Sequence, residues 1–120
     1  FKVEGSGATV SGNIMYLVDP TGETTEIGPF AFKNLFSENT GLTSAKDLEL
    51  PAATLAESCY EGMFTSCTNL TTAPELPATT LAKNCYKDMF NGCKNLVNIF
   101  WTEAFTLKDI TPSEVFLDNF

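Results

Sequence analysis

Apolar residues recur in pairs along two stretches of the chain, residues 55–67 and 81–93. In the first stretch they are Leu55, Ala56, Cys59, Tyr60, Met63, Phe64 and Cys67. At a helical 100° per residue, these positions fall within an arc of about 180°. All seven are unchanged in the second stretch, and the positions that differ lie on the opposite arc, except Ser66 and its counterpart Gly92. The pattern predicts an amphipathic helix in each stretch, with the unchanged face in the core and the changed face in solvent.

Shorter elements are predicted beside these helices. Residues 70–77 contain threonines and end in Pro77, which is typical of a strand at a sheet edge or of a brief extended segment. Residues 13–18 form an apolar run that predicts a buried strand. The sequence Asp-Pro-Thr-Gly at positions 19–22 fits a type I turn, because proline is favoured at the second position and glycine at the fourth.

The two stretches belong to a tandem repeat. Fourteen of the 22 residues from 49 to 70 recur between 75 and 96, at an offset of 26 (85 minus 59). A degenerate copy precedes them at an offset of 28, where Phe32 and Phe36 align with Tyr60 and Phe64. Repeats of this length predict a solenoid, in which each unit buries its apolar face against the next. We therefore expect one α/β repeat domain over residues 1–120, with an N-terminal cap (1–28), strand-and-helix repeats (29–101) and a C-terminal cap (102–120).

The amino-acid composition argues against several classes of function. The 120 residues carry a formal net charge of −8 and include no histidine, and all seven basic residues are lysines. An acidic chain without arginine is a poor partner for nucleic acid or for an anionic membrane. The lack of histidine removes the usual general base and the commonest metal ligand. No apolar run approaches the roughly 20 residues of a membrane span. We therefore expect no enzymatic activity, no cofactor and no membrane insertion by this segment.

The repeat also carries a family resemblance. The stretch LPATTLAKNCYKDMFNGCKNL, residues 76–96, resembles the repeats of BspA-like leucine-rich-repeat surface proteins of host-associated anaerobic bacteria. The resemblance covers about residues 13–101. It implies a short leucine-rich-repeat solenoid, export to the bacterial cell surface or beyond, and a role in adhesion to a host. The first copy departs from the pattern, because Ala31 and Asn39 stand where the later copies have cysteines.

The four cysteines allow two interpretations. On a helix, Cys59 and Cys67 would lie about 12 Å apart along the axis, and equivalent cysteines of stacked helices would lie about 8–10 Å apart. Disulfides need Cα atoms within roughly 7 Å of each other. This geometry favours buried free thiols over a disulfide, and a break in the helix near Gly62 would strengthen the case for a disulfide. Zinc sites prefer paired cysteines two to four residues apart, so the spacing of eight (67 minus 59) argues against a metal.

The outward residues of the strands are the candidate binding surface. They are Ser44, Asp47, Thr72, Glu75, Asn98 and Trp101. Stacked strands would align them in rows on one face, as in solenoid binding surfaces, although plain solvent exposure explains any single one of them. Phe100 and Trp101 are either a stacking platform for a sugar or protein partner or part of the packing under the C-terminal cap.

Two functions follow from these observations. The first is a non-catalytic binding or adhesion module at the cell surface, which recognises a host protein or glycan. The second is a structural spacer that holds another domain of a larger surface protein away from the cell. A short solenoid also has two ends, so a weak homodimer through one end is a further expectation.

Overall fold

The computed structural model describes residues 2–4, 7–23, 26–96, 98–101 and 106–107. Seven strands and a short 3-10 helix are present in these residues. They are β1 (Lys2–Glu4), β2 (Ala8–Asn13), the 3-10 helix Ile14–Leu17, β3 (Leu42–Glu49), β4 (Thr72–Leu76), β5 (Thr80–Leu81), β6 (Asn98–Trp101) and β7 (Thr106–Leu107). Five strands form one sheet in the order β1-β2-β3-β4-β6, and β5 pairs with β7 in a second sheet.

Equivalent parts of successive repeats lie side by side. Strand β1 pairs antiparallel with β2, and every other neighbouring pair in the two sheets is parallel. An isolated parallel bridge between Thr54 and Thr80 extends the smaller sheet to the preceding repeat. Each repeat is therefore one coil, with a strand in the large sheet, a short extended piece in the small one, and the segment between them.

The predicted helix-and-strand architecture is wrong. No α-helix occurs among the described residues, and residues 58–66 form consecutive turns instead. The backbone φ is positive at Ser58, Gly62 and Ser66, which are spaced four residues apart. A left-handed residue at every fourth position cannot belong to a right-handed helix. The fold is accordingly a stack of strand-and-turn coils, and we call residues 30–38, 58–66 and 84–92 the turn arms.

Backbone hydrogen bonds explain why the turn arms are stable. In the second arm, alternate residues donate to the carbonyl three residues back, as Cys59 does to Ala56 at 3.3 Å. The residues between them donate to the next coil, as Tyr60 does to Cys85 at 3.0 Å and Phe64 does to Met89 at 2.9 Å. Each pair of neighbouring arms makes five such bonds between coils. The neighbouring coil thus supplies the acceptors that a helix would find within itself.

Two columns of aromatic rings fill the space beneath the arms. One column stacks Phe32 on Tyr60 and Tyr60 on Tyr86, with ring centroids 6.1 and 6.0 Å apart. The other stacks the phenylalanines at positions 36, 64 and 90, with centroids 5.4 and 5.7 Å apart. These contacts confirm the predicted alignment of the degenerate first copy. Five of the seven unchanged positions, 59, 60, 63, 64 and 67, are at most 1% exposed in the second coil, so the unchanged face is core, as predicted.

The changed face is only partly in solvent. Glu57 and Lys83 are exposed, but Ser58 and Gly62 are buried. Ser58 and Gly62 are positive-φ positions, where the backbone conformation and not solvent restricts the choice of residue. Asn84 and Asp88 replace them in the next coil and also have positive φ.

The strand predictions have mixed outcomes. Strand β4 confirms the extended segment within residues 70–77, but it lies between β3 and β6 and not at an edge. The buried strand predicted at residues 13–18 is wrong, because the strand ends at Asn13. The Asn13 side chain accepts a hydrogen bond from the backbone N–H of Met15 at 2.8 Å, which starts the 3-10 helix. The turn at Asp19–Gly22 is confirmed by a bond from the N–H of Gly22 to the carbonyl of Asp19.

The predicted C-terminal cap, residues 102–120, lies outside the described residues except for β7. Within the described part, no helix has the length and apolar character that crossing a membrane requires.

Candidate functional site

The large sheet brings part of the predicted surface into register. Ser44 of β3 pairs with Thr72 of β4, and Thr72 pairs with Asn98 of β6. Thr9 of β2 pairs with Ser44 on the other side. The backbone therefore aligns four small polar residues across four strands. Ser44 and Thr72 are half-buried, so this row is less open than the sequence suggests.

Asp47 and Glu75 lie farther along the strands and are exposed. Both line a shallow groove of about 540 Å³ at the end of β3. The other lining residues are Lys46, Leu48, Glu49, Leu50, Pro51 and Pro77. We call this feature the strand-end groove. The groove has three carboxylates and one ammonium group, so its net charge is negative.

Trp101 does not occupy the position that repeat counting predicts. An offset of 26 would align Trp101 with Glu75, but the sheet pairs Glu75 with Phe100 and Leu76 with Trp101. The shift arises from an irregularity in the β4–β6 pairing between Thr72 and Glu75. Pro74 lies in this interval and has no N–H to donate to a neighbouring strand. The side chains of Asn98 and Trp101 fall outside the described residues, and so does the predicted aromatic pair of Phe100 and Trp101.

Sequence reasoning missed the other residues of the groove. Glu49 was visible as a repeated residue, because Glu49 and Glu75 share the 26-residue offset. Pro51 had the same signal, because it recurs as Pro77 at that offset. Lys46 had none, since it lies where the first repeat is two residues longer than the second. Strand β3 supplies four of the lining residues and extends over eight residues, whereas β4 extends over five.

A second surface lies at the N-terminal end of the stack and is apolar. Its large exposed side chains are Tyr16, Leu17, Val18, Phe30 and Leu35. Leu35 is 39% exposed, whereas Met63, its equivalent in the next coil, is fully buried. A shallow cleft of about 520 Å³ adjoins this end and is lined by Met15, Val18, Glu26, Ile27, Gly28 and Ala31. One signal for this surface is present along the chain, namely the apolar Leu35 in a first repeat that no other copy precedes.

The four cysteines are free thiols. Burial raises the pKa of Cys59 to about 12 and that of Cys85 to about 11. The same desolvation raises the pKa of the Tyr60 and Tyr86 hydroxyls beside them. These groups are therefore neutral at pH 7, and a neutral buried thiol is a poor nucleophile and metal ligand. Within the described part, no three Cys, Asp or Glu residues lie close enough to hold a metal ion.

Comparisons of the chain with protein-family models, curated proteins and solved structures give no match. The resemblance to BspA-like surface proteins therefore stays a prediction.

Proposed function

We propose that this chain is a non-catalytic binding module of a bacterial surface protein and that the strand-end groove binds a host glycan. The observation that carries the proposal is this open groove, in which Asp47, Glu49 and Glu75 are presented by the ends of adjacent hydrogen-bonded strands. Strands hold side chains more rigidly than loops do, which limits the entropy lost on binding.

The chemistry of the groove favours a polar ligand. Carboxylates accept hydrogen bonds from sugar hydroxyls, and Lys46 can donate one. The large exposed apolar side chains of the described part lie in residues 16–18, Phe30 and Leu35, and none of them lines the groove. Because the groove and the whole chain are acidic, an anionic glycan would be repelled. Neutral and amino sugars are therefore the expected class.

The test is an array of neutral, amino and acidic glycans, with host matrix proteins printed beside them. The expected result is binding to a subset of neutral or amino sugars. Asp47→Asn and Glu75→Gln should each weaken that binding by about tenfold, because a hydrogen bond to a charged group contributes about 1.5 kcal/mol. Glu57→Gln is the matched control, since Glu57 is an exposed carboxylate beside a turn arm and outside the groove.

Two results would contradict the proposal. One is equal loss of binding in the Glu57 control, which would indicate a general charge effect. The other is binding to matrix proteins that does not depend on Asp47 or Glu75. That result would indicate a binding site at the apolar N-terminal end.

A second candidate function is a structural spacer. The strand-end groove carries both signs of charge, and its lining includes none of the large exposed apolar side chains of the described residues. A spacer has such a surface because it needs only solubility and rigidity. A folded protein that binds nothing on the array would favour this function.

A further inference from the structure

The turn arms bring equivalent cysteines much closer together than packed helices would. Cys59 and Cys85 occupy the same position in adjacent coils, as do Cys67 and Cys93. Cys59 and Cys85 lie in the second and third turn arms, and Cys67 and Cys93 directly follow these arms. The two arms are joined by backbone hydrogen bonds of 3.0 Å at Tyr60 and 2.7 Å at Ser66. Backbones paired in this way lie about 4.8 Å apart. Disulfides span Cα separations of about 4.4–6.8 Å, so both pairs fall within bonding range.

The sulfur atom of Cys93 is already placed next to Cys67. Its Sγ donates to the carbonyl oxygen of Phe64 at 3.0 Å, which is the same carbonyl that accepts the backbone N–H of Cys67 at 3.0 Å. The third coil therefore extends this side chain onto the second coil. The Cys67 thiol donates in turn to the carbonyl of Phe36 in the first coil, also at 3.0 Å. Rotation of Cys67 about χ1 would exchange that bond for contact with Cys93.

Solvent access distinguishes the two pairs. Cys93 is half-buried, whereas Cys59 and Cys85 are both 0% exposed. Thiol–disulfide exchange requires contact between a thiolate and an external disulfide. Only the pair that contains Cys93 has a sulfur that such a reagent reaches without unfolding.

We propose that Cys67 and Cys93 form a disulfide between the second and third coils in an oxidising solution, while Cys59 and Cys85 remain thiols. The oxidant is a small soluble disulfide such as glutathione disulfide. The Cys93 thiolate attacks one sulfur of the oxidant, which forms a mixed disulfide and releases one glutathione thiolate. The Cys67 thiolate then attacks the Cys93 sulfur and releases the second glutathione. The two cysteine protons pass through solvent to the two glutathione thiolates.

The rate of this reaction should depend strongly on pH. Burial, followed by the neighbouring Cys67, raises the pKa of the Cys93 thiol to about 11. Because the thiolate is the attacking species, its fraction rises about tenfold per pH unit below that value. Cross-linking should therefore be slow at pH 7 and about a hundredfold faster at pH 9.

The experiment treats the whole chain with glutathione disulfide at pH 9, alkylates the remaining thiols after denaturation and digests with trypsin. Cleavage after lysine places Cys59 and Cys67 in peptide 47–83, Cys85 in peptide 84–87 and Cys93 in peptide 88–94. The expected product joins peptides 47–83 and 88–94, with Cys85 alkylated. A link between 47–83 and 84–87, or full alkylation of Cys93, would overturn the proposal.

Variants assign the sulfur within peptide 47–83. Cys67→Ser keeps a hydroxyl that can donate to Phe36, and it should stop the cross-link and leave Cys93 as its glutathione adduct. Cys59→Ala is the matched control and should cross-link like the original chain. A cross-link that persists in Cys67→Ser, or that disappears in Cys59→Ala, would overturn the assignment.

A thermal scan gives an independent readout. A disulfide that closes a loop of this length should raise the Tm by about 10 °C, and dithiothreitol should reverse the change. An oxidised protein with an unchanged or lower Tm would show that the bond does not form between adjacent folded coils.

Discussion

The conformation of single residues sets the shape of each turn arm. Positive φ values occur at Phe30, Asn34 and Glu38 in the first arm, and at the equivalent fourth residues of the other two. In the second and third arms these positions hold Ser58, Gly62, Ser66, Asn84, Asp88 and Gly92. Glycine and small polar residues adopt this conformation at the lowest cost. At these positions the residue differs between the two close copies, and the backbone conformation still restricts the choice.

Substitution of Gly62 by alanine tests this restriction. Gly62 has a φ of 62°, and a Cβ there would meet the side chain of Asn34 in the preceding arm. We expect Gly62→Ala to lower the free energy of unfolding by about 1–2 kcal/mol, measured by urea denaturation. Gly28→Ala is the matched control, because a Cβ at Gly28 meets nothing within 4 Å and its φ is not positive. Equal effects of the two substitutions would argue against the left-handed turns.

Two asparagine side chains show why certain polar residues are unchanged between copies. Asn69 donates from its side-chain amide to the carbonyl of Thr40 at 2.6 Å, and Asn95 donates to Thr68 at 2.8 Å. In each case the amide bonds to a turn of the preceding coil. The repeat thus retains a polar residue where it satisfies a carbonyl of its neighbour.

At the scale of the element, the aromatic columns couple the three coils. Tyr60 is the middle ring of its column and is 1% exposed. Its hydroxyl is buried and has no hydrogen-bond partner within the described residues. A buried hydroxyl without a partner costs stability, while its ring contributes dispersion and burial. The equivalent residue of the first coil, Phe32, has no hydroxyl.

Replacement of Tyr60 separates these two contributions. We expect Tyr60→Phe to raise the free energy of unfolding by about 1 kcal/mol, because it removes an unpaired polar atom and keeps the stacked ring. Tyr60→Leu should lower that free energy, because it removes the stacking on Phe32 and Tyr86. Both changes are measured by urea denaturation at pH 7. A loss of stability in Tyr60→Phe would show that the hydroxyl has a partner in solution.

At the scale of the whole molecule, the first turn arm lacks a backbone partner on its N-terminal side among the described residues. The carbonyls of residues 29, 31, 33, 35 and 37 are equivalent to those that accept bonds in the second arm, yet they accept no backbone bond from the described residues. Two copies that met edge to edge would present acceptors to acceptors. A homodimer through this end would therefore have to depend on side chains such as Phe30 and Leu35.

The buried thiols should also make the whole fold sensitive to alkali. The pKa of Cys59 rises from 9.0 to about 12 on folding, and that of Cys85 rises from 9.0 to about 11. The unfolded chain loses these protons first, so the stability contributed by the neutral thiols is complete below pH 9 and falls as pH rises towards 11–12. Each thiol should contribute a slope of about 1.4 kcal/mol per pH unit in that window.

Urea denaturation at pH 8, 9.5 and 10.5 under reducing conditions would measure this loss. The double variant Cys59→Ala with Cys85→Ala should show a flatter dependence on pH. A variant whose stability falls as steeply as that of the original chain would place the alkaline sensitivity elsewhere.

The sequence alone determined the repeat, its register and its core. The 26-residue offset aligned Tyr60 with Tyr86 and Phe64 with Phe90, and the structure stacks these rings. The offsets of 28 and 26 residues predicted the row of Ser44, Thr72 and Asn98, because copies that stack in parallel place equivalent residues in line. These predictions succeed because identical segments bury identical faces.

Only the tertiary structure decided the form of the turn arms and the position of Trp101. The apolar pairs repeat every 4.0 residues, and on a helix each step of four residues would drift by about 40°. This drift argues against a helix, and so do Ser58, Gly62 and Ser66, which recur at every fourth position. The donors of one arm find their acceptors in the next coil, so an isolated segment gives no energetic reason to prefer turns. The shift of Trp101 likewise depends on how β6 pairs with β4 beside Pro74. Counting residues along the chain does not reveal this pairing.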